Sequence, residues 1–217
     1  MDKRLVAATE RVDNIMEQLL NAGADMEDPV SIYHVELPSN LSYSSGACRI
    51  VVWDNNYDDF VVKFPISNAE EKFCRREVEL YAKAQELHIE EAFAWCDCIY
   101  EPNTALSGIG VYAMEYLDCD EEEISSKTFD SAFRYYCEDQ GLDPTDEKVR
   151  RDYEWDVYDC DEANDYLYDL FMIKLDENKR TSVDDFIRDN DINDLHAANM
   201  GFRNDMLVIC DYAGYGW

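Results

Sequence analysis

Glu77 constrains this chain more than any other residue, because it puts a charge where a helix must be buried. Residues from Ser67 to about Leu87 read as a helix, opened by the capping-box pattern Ser67-x-x-Glu70. Within it Phe73, Glu77, Leu80, Ala84 and Leu87 step by four, three, four and three, and so share one face. Glu79 falls on the opposite, solvent side. An acid on an apolar helix face is costly unless it meets a cation. The apolar stretch just upstream, Phe60-Val-Val-Lys63-Phe64, reads as a strand and supplies one. Taken alone, Lys63 is an ordinary exposed strand residue alternating with Val62 and Phe64. The helix pattern favours its pairing with Glu77, and that pairing ties helix to strand.

The rest of the first half reads as β-structure with one further helix. Residues 3–22 form an amphipathic helix with Leu5, Val12, Met16 and Leu19 on one stripe, stopped by Gly23, a brace for the sheet. Ile32 to Leu37 is a candidate strand. Arg49 to Trp53 is a second, Asp54 to Asp59 a polar turn, and Phe60 to Phe64 a third strand. Between the first two strands lies a small-residue loop, Ser42 to Ala47. Small residues there let backbone N–H groups approach a phosphate, which makes Ser44, Ser45, Gly46 and Ala47 phosphate-binding candidates. The same residues suit an ordinary hairpin loop. Phe93 to Tyr100 is another strand, with Trp95 and Ile99 inward. After a small-residue turn, Ala105 to Gly110, the apolar strand Val111 to Asp118 runs into a break.

Charge excludes several function classes. The chain of 217 residues carries 49 acidic against 19 basic residues, a net of −30, which repels nucleic acid. Such a surface serves solubility or a salt-rich habitat, attracts a basic partner, or imitates the phosphate array of DNA. Aromatic residues at 13% and apolar ones at 47% argue against disorder. No stretch is long and apolar enough to span a membrane. The N-terminus lacks the apolar core of a signal peptide, and the 8 cysteines are scattered, so a reducing cytoplasm is expected. Cys96-Asp97-Cys98 has no Cys-x-x-Cys partner, which disfavours structural zinc. Residues 118–190 read as helical: an acidic run Asp120–Glu123, a helix over 128–140 ended by Gly141, a long helix over 146–175, and a short one over Ser182–Asp189. The long helix carries Asp152, Asp156, Asp159, Asp161, Asp165 and Asp169 on its polar faces, a solvated surface or a docking face for a basic partner.

The last stretch carries the densest chemistry. Asp194 and Asn199 stand five apart in D-L-H-A-A-N, the short apolar strand Met206–Ile209 follows, and Asp211 closes it in D-Y-A-G. Two carboxylates and an amide flanking a tight strand match what a Mg-nucleotide phosphotransfer site needs.

In this order, the parts resemble the protein-kinase-like superfamily, whose H-x-D-x-x-x-x-N precedes D-F-G and whose V-A-I-K lysine pairs with a helix glutamate. The D-L-H-x-x-N wording is closer to aminoglycoside phosphotransferases and small phage kinases. The resemblance implies an α+β, two-lobe fold divided near residue 117: a small sheet with the Glu77 helix over 1–117, then a reduced, mostly helical lobe over 118–217, with a nucleotide cleft. It implies ATP and Mg²⁺ as cofactors. Lys63, held by Glu77, would orient the α- and β-phosphates, Asn199 and Asp211 would bind Mg²⁺, and Asp194 would orient the incoming hydroxyl. Met114 would stand at the back of the adenine pocket, with Glu115, Tyr116 and Leu117 as the hinge. The sequence departs from the family in several places. Ile192 and Asn193 replace the usual histidine and arginine, and His196 stands where serine/threonine kinases carry lysine, as in the aminoglycoside branch. No A-P-E follows Asp211, and the chain given ends six residues after it. The expectation is therefore a small protein serine/threonine kinase of phage type, acting in the host cytoplasm on a protein substrate. The alternatives are an inactive kinase-like protein that binds a basic host protein or mimics DNA, and an aminoglycoside-type small-molecule phosphotransferase.

Overall fold

A computed structural model describes residues 2–102, 108–117, 129–130, 133–138, 140–158, 168, 171–172, 174–195, 199–204 and 206–213. They form two compact units, Met1–Glu90 with Ala94–Tyr116, and Glu91–Phe93 with Leu117–Trp217. The class is α+β, as expected.

In the first unit, β1 (Leu41–Ser45), β2 (Arg49–Asp54), β3 (Phe60–Pro65), β4 (Cys96–Tyr100) and β5 (Val111–Glu115) make one antiparallel sheet in the order β1-β2-β3-β5-β4. Alternation separates its two faces. Ile50, Val52, Phe60, Val62, Phe64, Val111 and Ala113 are buried on one face. Helix α1 (Lys3–Asn21) packs along β2 to β5 with Ala8, Val12, Ile15, Met16 and Leu19 buried, and ties to the same face through Arg4–Glu115 at 3.2 Å. It ends as expected, with Gly23 at φ 95° providing the left-handed turn. Lys63 and Tyr112, partners in the β3–β5 register, point to the other face, against α2 (Glu71–Glu86).

Several local expectations fail in this unit. Ile32 to Leu37 is not a strand: Pro29–His34 forms a 3-10 helix instead. Pro29 sits in its first turn, where the missing N–H costs nothing. Ser31 Oγ accepts from the Asp25 amide at 2.7 Å, which curls the chain. The Ser67–Glu70 capping box does not form. The amides of Glu70 and Glu71 both donate to the Ser67 carbonyl, at 3.0 and 3.2 Å, so a backbone turn leads into α2 and no side chain caps it. The buried stripe of α2 is also rotated. Cys74 and Tyr81 are buried with Glu77, Leu80 and Ala84, whereas Phe73 is half-buried and Leu87, the C-cap, is exposed. Ser42 to Ser45 belong to β1, which shortens the expected small-residue loop to the turn 46–48. Ile99 is only half-buried, while Trp95 is in the core.

In the second unit, Phe133, Cys137 and Tyr153 form a small core with Phe129, Tyr136 and Val149, joining helical residues 133–138 to α3 (Glu147–Tyr158). Gly141 turns the chain between them at φ 65°. Helix α4 (Glu177–Asp189) starts earlier than the expected Ser182, because the Asp176 carboxylate accepts from the Asn178 amide at 3.1 Å and caps it. A strand not anticipated from sequence, β6 (Met200–Arg203), pairs with β7 (Met206–Ile209) in a tight hairpin. Segment Glu91–Phe93 docks on this unit. Arg203 donates to the carbonyls of Glu91 and Phe93, both at 2.9 Å, and the Phe93 ring meets those of Phe186 and Tyr212 at 5.3 Å. His196, the run Asp120–Glu123, residues 105–107 of the Ala105–Gly110 turn, and Asp159, Asp161, Asp165 and Asp169 lie outside the described residues. Among the described residues no helix is long and apolar enough to cross a membrane.

Candidate functional site

In the first unit the chemistry centres on a buried carboxylate. Glu77, 1% exposed, accepts from Lys63 Nζ at 3.0 Å on Oε1 and 2.9 Å on Oε2. Lys63 is itself 4% exposed, so the reading of Lys63 as a solvent-facing strand residue does not hold. A second cation, missed in the sequence, shares the acid: Arg49 Nη1 donates to Glu77 Oε1 at 2.7 Å. Val51 is the register partner of Lys63, and Arg49 lies two residues before it, so both cations sit diagonally on one sheet face. Beside them α2 carries another buried acid, Glu71. It accepts from the Tyr112 hydroxyl at 2.9 Å and pairs with Arg75 at 2.8 Å. Burial, reinforced by the Glu71 bond, drives the Tyr112 hydroxyl far above its usual range. Burial likewise pushes the thiol of Cys98, the register partner of Tyr112, up to about 12.

The phosphate-loop candidates are arranged more tightly than the sequence suggests. Ser44 and Ser45 are exposed strand residues paired with Val51 and Ile50. Only Gly46 and Ala47 stand in the turn, and the Gly46 amide donates to the Arg49 carbonyl at 3.0 Å. A Cβ at Gly46 would meet open space. Met114 pairs with Val61 and shares the sheet face of Lys63. Of the hinge candidates, the Glu115 amide donates to Trp95 O at 2.8 Å and the Tyr116 amide to Asp59 O at 3.0 Å. Both are used inside the sheet unit. The Glu115 carboxylate is likewise structural, bound to Arg4 and to the Trp95 amide.

In the second unit the β6–β7 hairpin gathers the three remaining candidates. Asn199 is buried just before β6, and its Nδ2 donates to the Asp194 carbonyl at 2.8 Å. The Asn199 carbonyl accepts from the amides of Cys210 at 2.9 Å and Asp211 at 3.4 Å. Met200 pairs with Ile209 in the adjoining register. Tyr212 and Ala213 are buried after Asp211, and Tyr212 anchors on Phe93. Hairpin pairing thus places Asp211 beside Asn199, and Asn199 holds the backbone of Asp194.

No family model matches the chain, and no curated protein matches it. Among solved structures the chain is similar to the GDP and kanamycin complex of APH(2")-IIia, an aminoglycoside phosphotransferase. The likeness has 12% identity and a TM-score of 0.40, over 92% of this chain and 72% of that one. A likeness so distant says nothing about what this chain binds.

The donor set around Asn199 fits a hard divalent cation. With Nδ2 committed to the Asp194 carbonyl, Oδ1 becomes the acceptor end of the carboxamide, and Asp211, whose amide meets the Asn199 carbonyl at 3.4 Å, would add a carboxylate. Among the described residues no three His, Cys, Asp or Glu side chains converge as a metal cluster. Mg²⁺ is commonly held by one or two protein oxygens together with substrate phosphates, so two donors suit it.

Proposed function

We propose that the chain is an ATP-dependent phosphotransferase that moves the γ-phosphoryl group to a protein serine or threonine hydroxyl. The observation that carries this reading is the β6–β7 hairpin, which brings Asp211 to Asn199 and fixes Asn199 on the Asp194 backbone. Asp194 would then supply the carboxylate base for the nucleophile, with Asn199 and Asp211 as oxygen donors for a cation. Lys63, oriented by Glu77, would hold the α- and β-phosphates. Asp194 would orient the acceptor hydroxyl and take its proton as the oxygen bonds to the γ-phosphorus and the β–γ bridge breaks, releasing ADP. Mg²⁺, on Asn199 and Asp211, would neutralise charge on the phosphates. With the Glu115 and Tyr116 amides used in the sheet unit, Leu117 is the hinge candidate left to donate to adenine.

A thermal-shift titration with ATP, with and without Mg²⁺, on wild type and Asp211→Asn tests this. A ligand at about 100 times its Kd stabilises by about 2.7 kcal/mol. A Mg-dependent rise in Tm that is lost in Asp211→Asn is expected, followed by γ-phosphate label entering protein and not kanamycin. No shift at any ATP concentration would overturn the reading. The surface carrying the −30 charge would then be the functional part, with partner binding that weakens steeply with salt.

A further inference from the structure

The buried acid of α2 holds two cations where one would satisfy it. Glu77 Oε1 accepts from both Lys63 at 3.0 Å and Arg49 at 2.7 Å, and Oε2 accepts from Lys63 at 2.9 Å. A lysine–glutamate pair by itself is neutral. If Lys63 turned toward an anionic ligand, Glu77 would be left as a buried carboxylate without compensation, which strongly opposes the turn. Arg49 removes that obstacle. Its guanidinium is a fixed charge that no accessible pH removes, and it reaches Glu77 from the neighbouring strand.

The hairpin above strengthens the case. Strand pairing runs to Ser45–Ile50, and the Gly46 amide is used on the Arg49 carbonyl. A turn this tight offers few amides to cradle phosphates, so positive charge must come from side chains. Arg49 is the first residue of β2 after that turn.

We infer that Arg49 is the positioning residue of a polyphosphate-binding centre: it neutralises Glu77 so that Lys63 can engage the anion. Arg49, Lys63 and Glu77 together carry one net positive charge, in a chain whose net is −30. The inference rests on the phosphotransferase reading for the identity of the ligand as a nucleoside triphosphate. The recognised chemistry is the polyphosphate itself.

Titration calorimetry of the full chain with inorganic tripolyphosphate, at low salt and without Mg²⁺, reads the centre directly. Wild type should bind. Arg49→Gln should weaken binding by about tenfold, the worth of one charge-assisted interaction, because Lys63 then stays closed on Glu77. Arg49→Lys should retain most of the affinity. The double variant Arg49→Gln with Glu77→Gln restores the same net charge and frees Lys63, so it should recover to within about threefold of wild type. Circular dichroism melts show that each variant is folded. Wild type that does not bind tripolyphosphate overturns the inference, as does Arg49→Gln that binds like wild type. A double variant as weak as Arg49→Gln also overturns it, since Arg49 would then touch the anion or only hold the fold. Arg49-dependent binding without γ-phosphate transfer from Mg-ATP leaves the inference standing and removes the phosphotransferase reading. Mg-dependent ATP binding with no effect of Arg49→Gln does the reverse.

Discussion

Removing the Glu77 carboxylate should cost more stability than removing the Lys63 ammonium, and the difference measures what Arg49 does. Glu77→Ala leaves Lys63 and Arg49, 4% and 8% exposed, facing each other without their shared acid. Breaking a buried pair from one side costs about 3–5 kcal/mol. Lys63→Met removes one of two cations and keeps the aliphatic volume, while Glu77 retains Arg49 at 2.7 Å. The cost should then be about 1.5–3 kcal/mol, that of a lost hydrogen bond to a charged group. At roughly 2–4 °C per kcal/mol for a chain of this size, Glu77→Ala lowers Tm by about 6–20 °C and Lys63→Met by about 3–12 °C. Circular dichroism melts of the full chain, run side by side, give the order without relying on either absolute value. Equal losses would refute the argument, because Arg49 would then contribute nothing once Lys63 is gone.

The remaining expectations are independent of nucleotide chemistry, save the last. Gly110→Ala should destabilise by about 1–3 kcal/mol, since its Cβ would lie 2.7 Å from the Tyr112 hydroxyl and 2.8 Å from Glu71 Oε1. Gly46→Ala, with open space at its Cβ, should stay within about 0.5 kcal/mol in the same melts. Burial raises the pKa of Asp54, but hydrogen bonds from the Asn56 amide, Asn40 and Asn56 side chains outweigh it, so the group is held below its ordinary 3.8. A depressed folded pKa contributes stability that is present above the unfolded value and lost as pH falls through the folded one. Wild type should therefore lose more Tm than Asp54→Asn when pH drops from about 5 to about 2; parallel losses would refute this. Iodoacetamide labelling of native protein near pH 8 should modify Cys98 far more slowly than a free thiol, because burial holds it protonated. Labelling at the free-thiol rate would contradict that placement. Asn199→Ala should abolish the Mg-dependent part of any ATP-induced Tm rise while leaving the hairpin strands β6 and β7 intact by circular dichroism; an unchanged Mg response removes Asn199 from the metal site.

Much of the sheet unit was legible because its signals are local and costly to violate. Apolar runs bounded by turn residues located β2, β3 and β5, and a glutamate on an apolar helix face demanded a cation, which Lys63 is. Arg49 escaped notice for a physical reason. It reads as an ordinary strand start, and its place beside Lys63 depends on the β2–β3 register, which no single strand encodes. The Pro29 segment and the Ser67–Glu70 box misled in the opposite way. Each carried a valid local pattern, and in each a nearby hydrogen bond, from the Asp25 amide to Ser31 or to the Ser67 carbonyl, favoured a different turn.

In the second unit the sequence named Asp194, Asn199 and Asp211 but not the strand β6 that joins them. Met200–Arg203 lacks the length and the β-branched residues that mark a strand. It forms because β7 lies opposite and Arg203 reaches the carbonyls of Glu91 and Phe93. The sequence by itself thus determined which side chains are costly to leave unpaired, since burial and charge are properties of residue type and periodicity. Which partner each one takes was decided only by tertiary structure, because register, turn length and the docking of distant segments set distances that no local stretch contains.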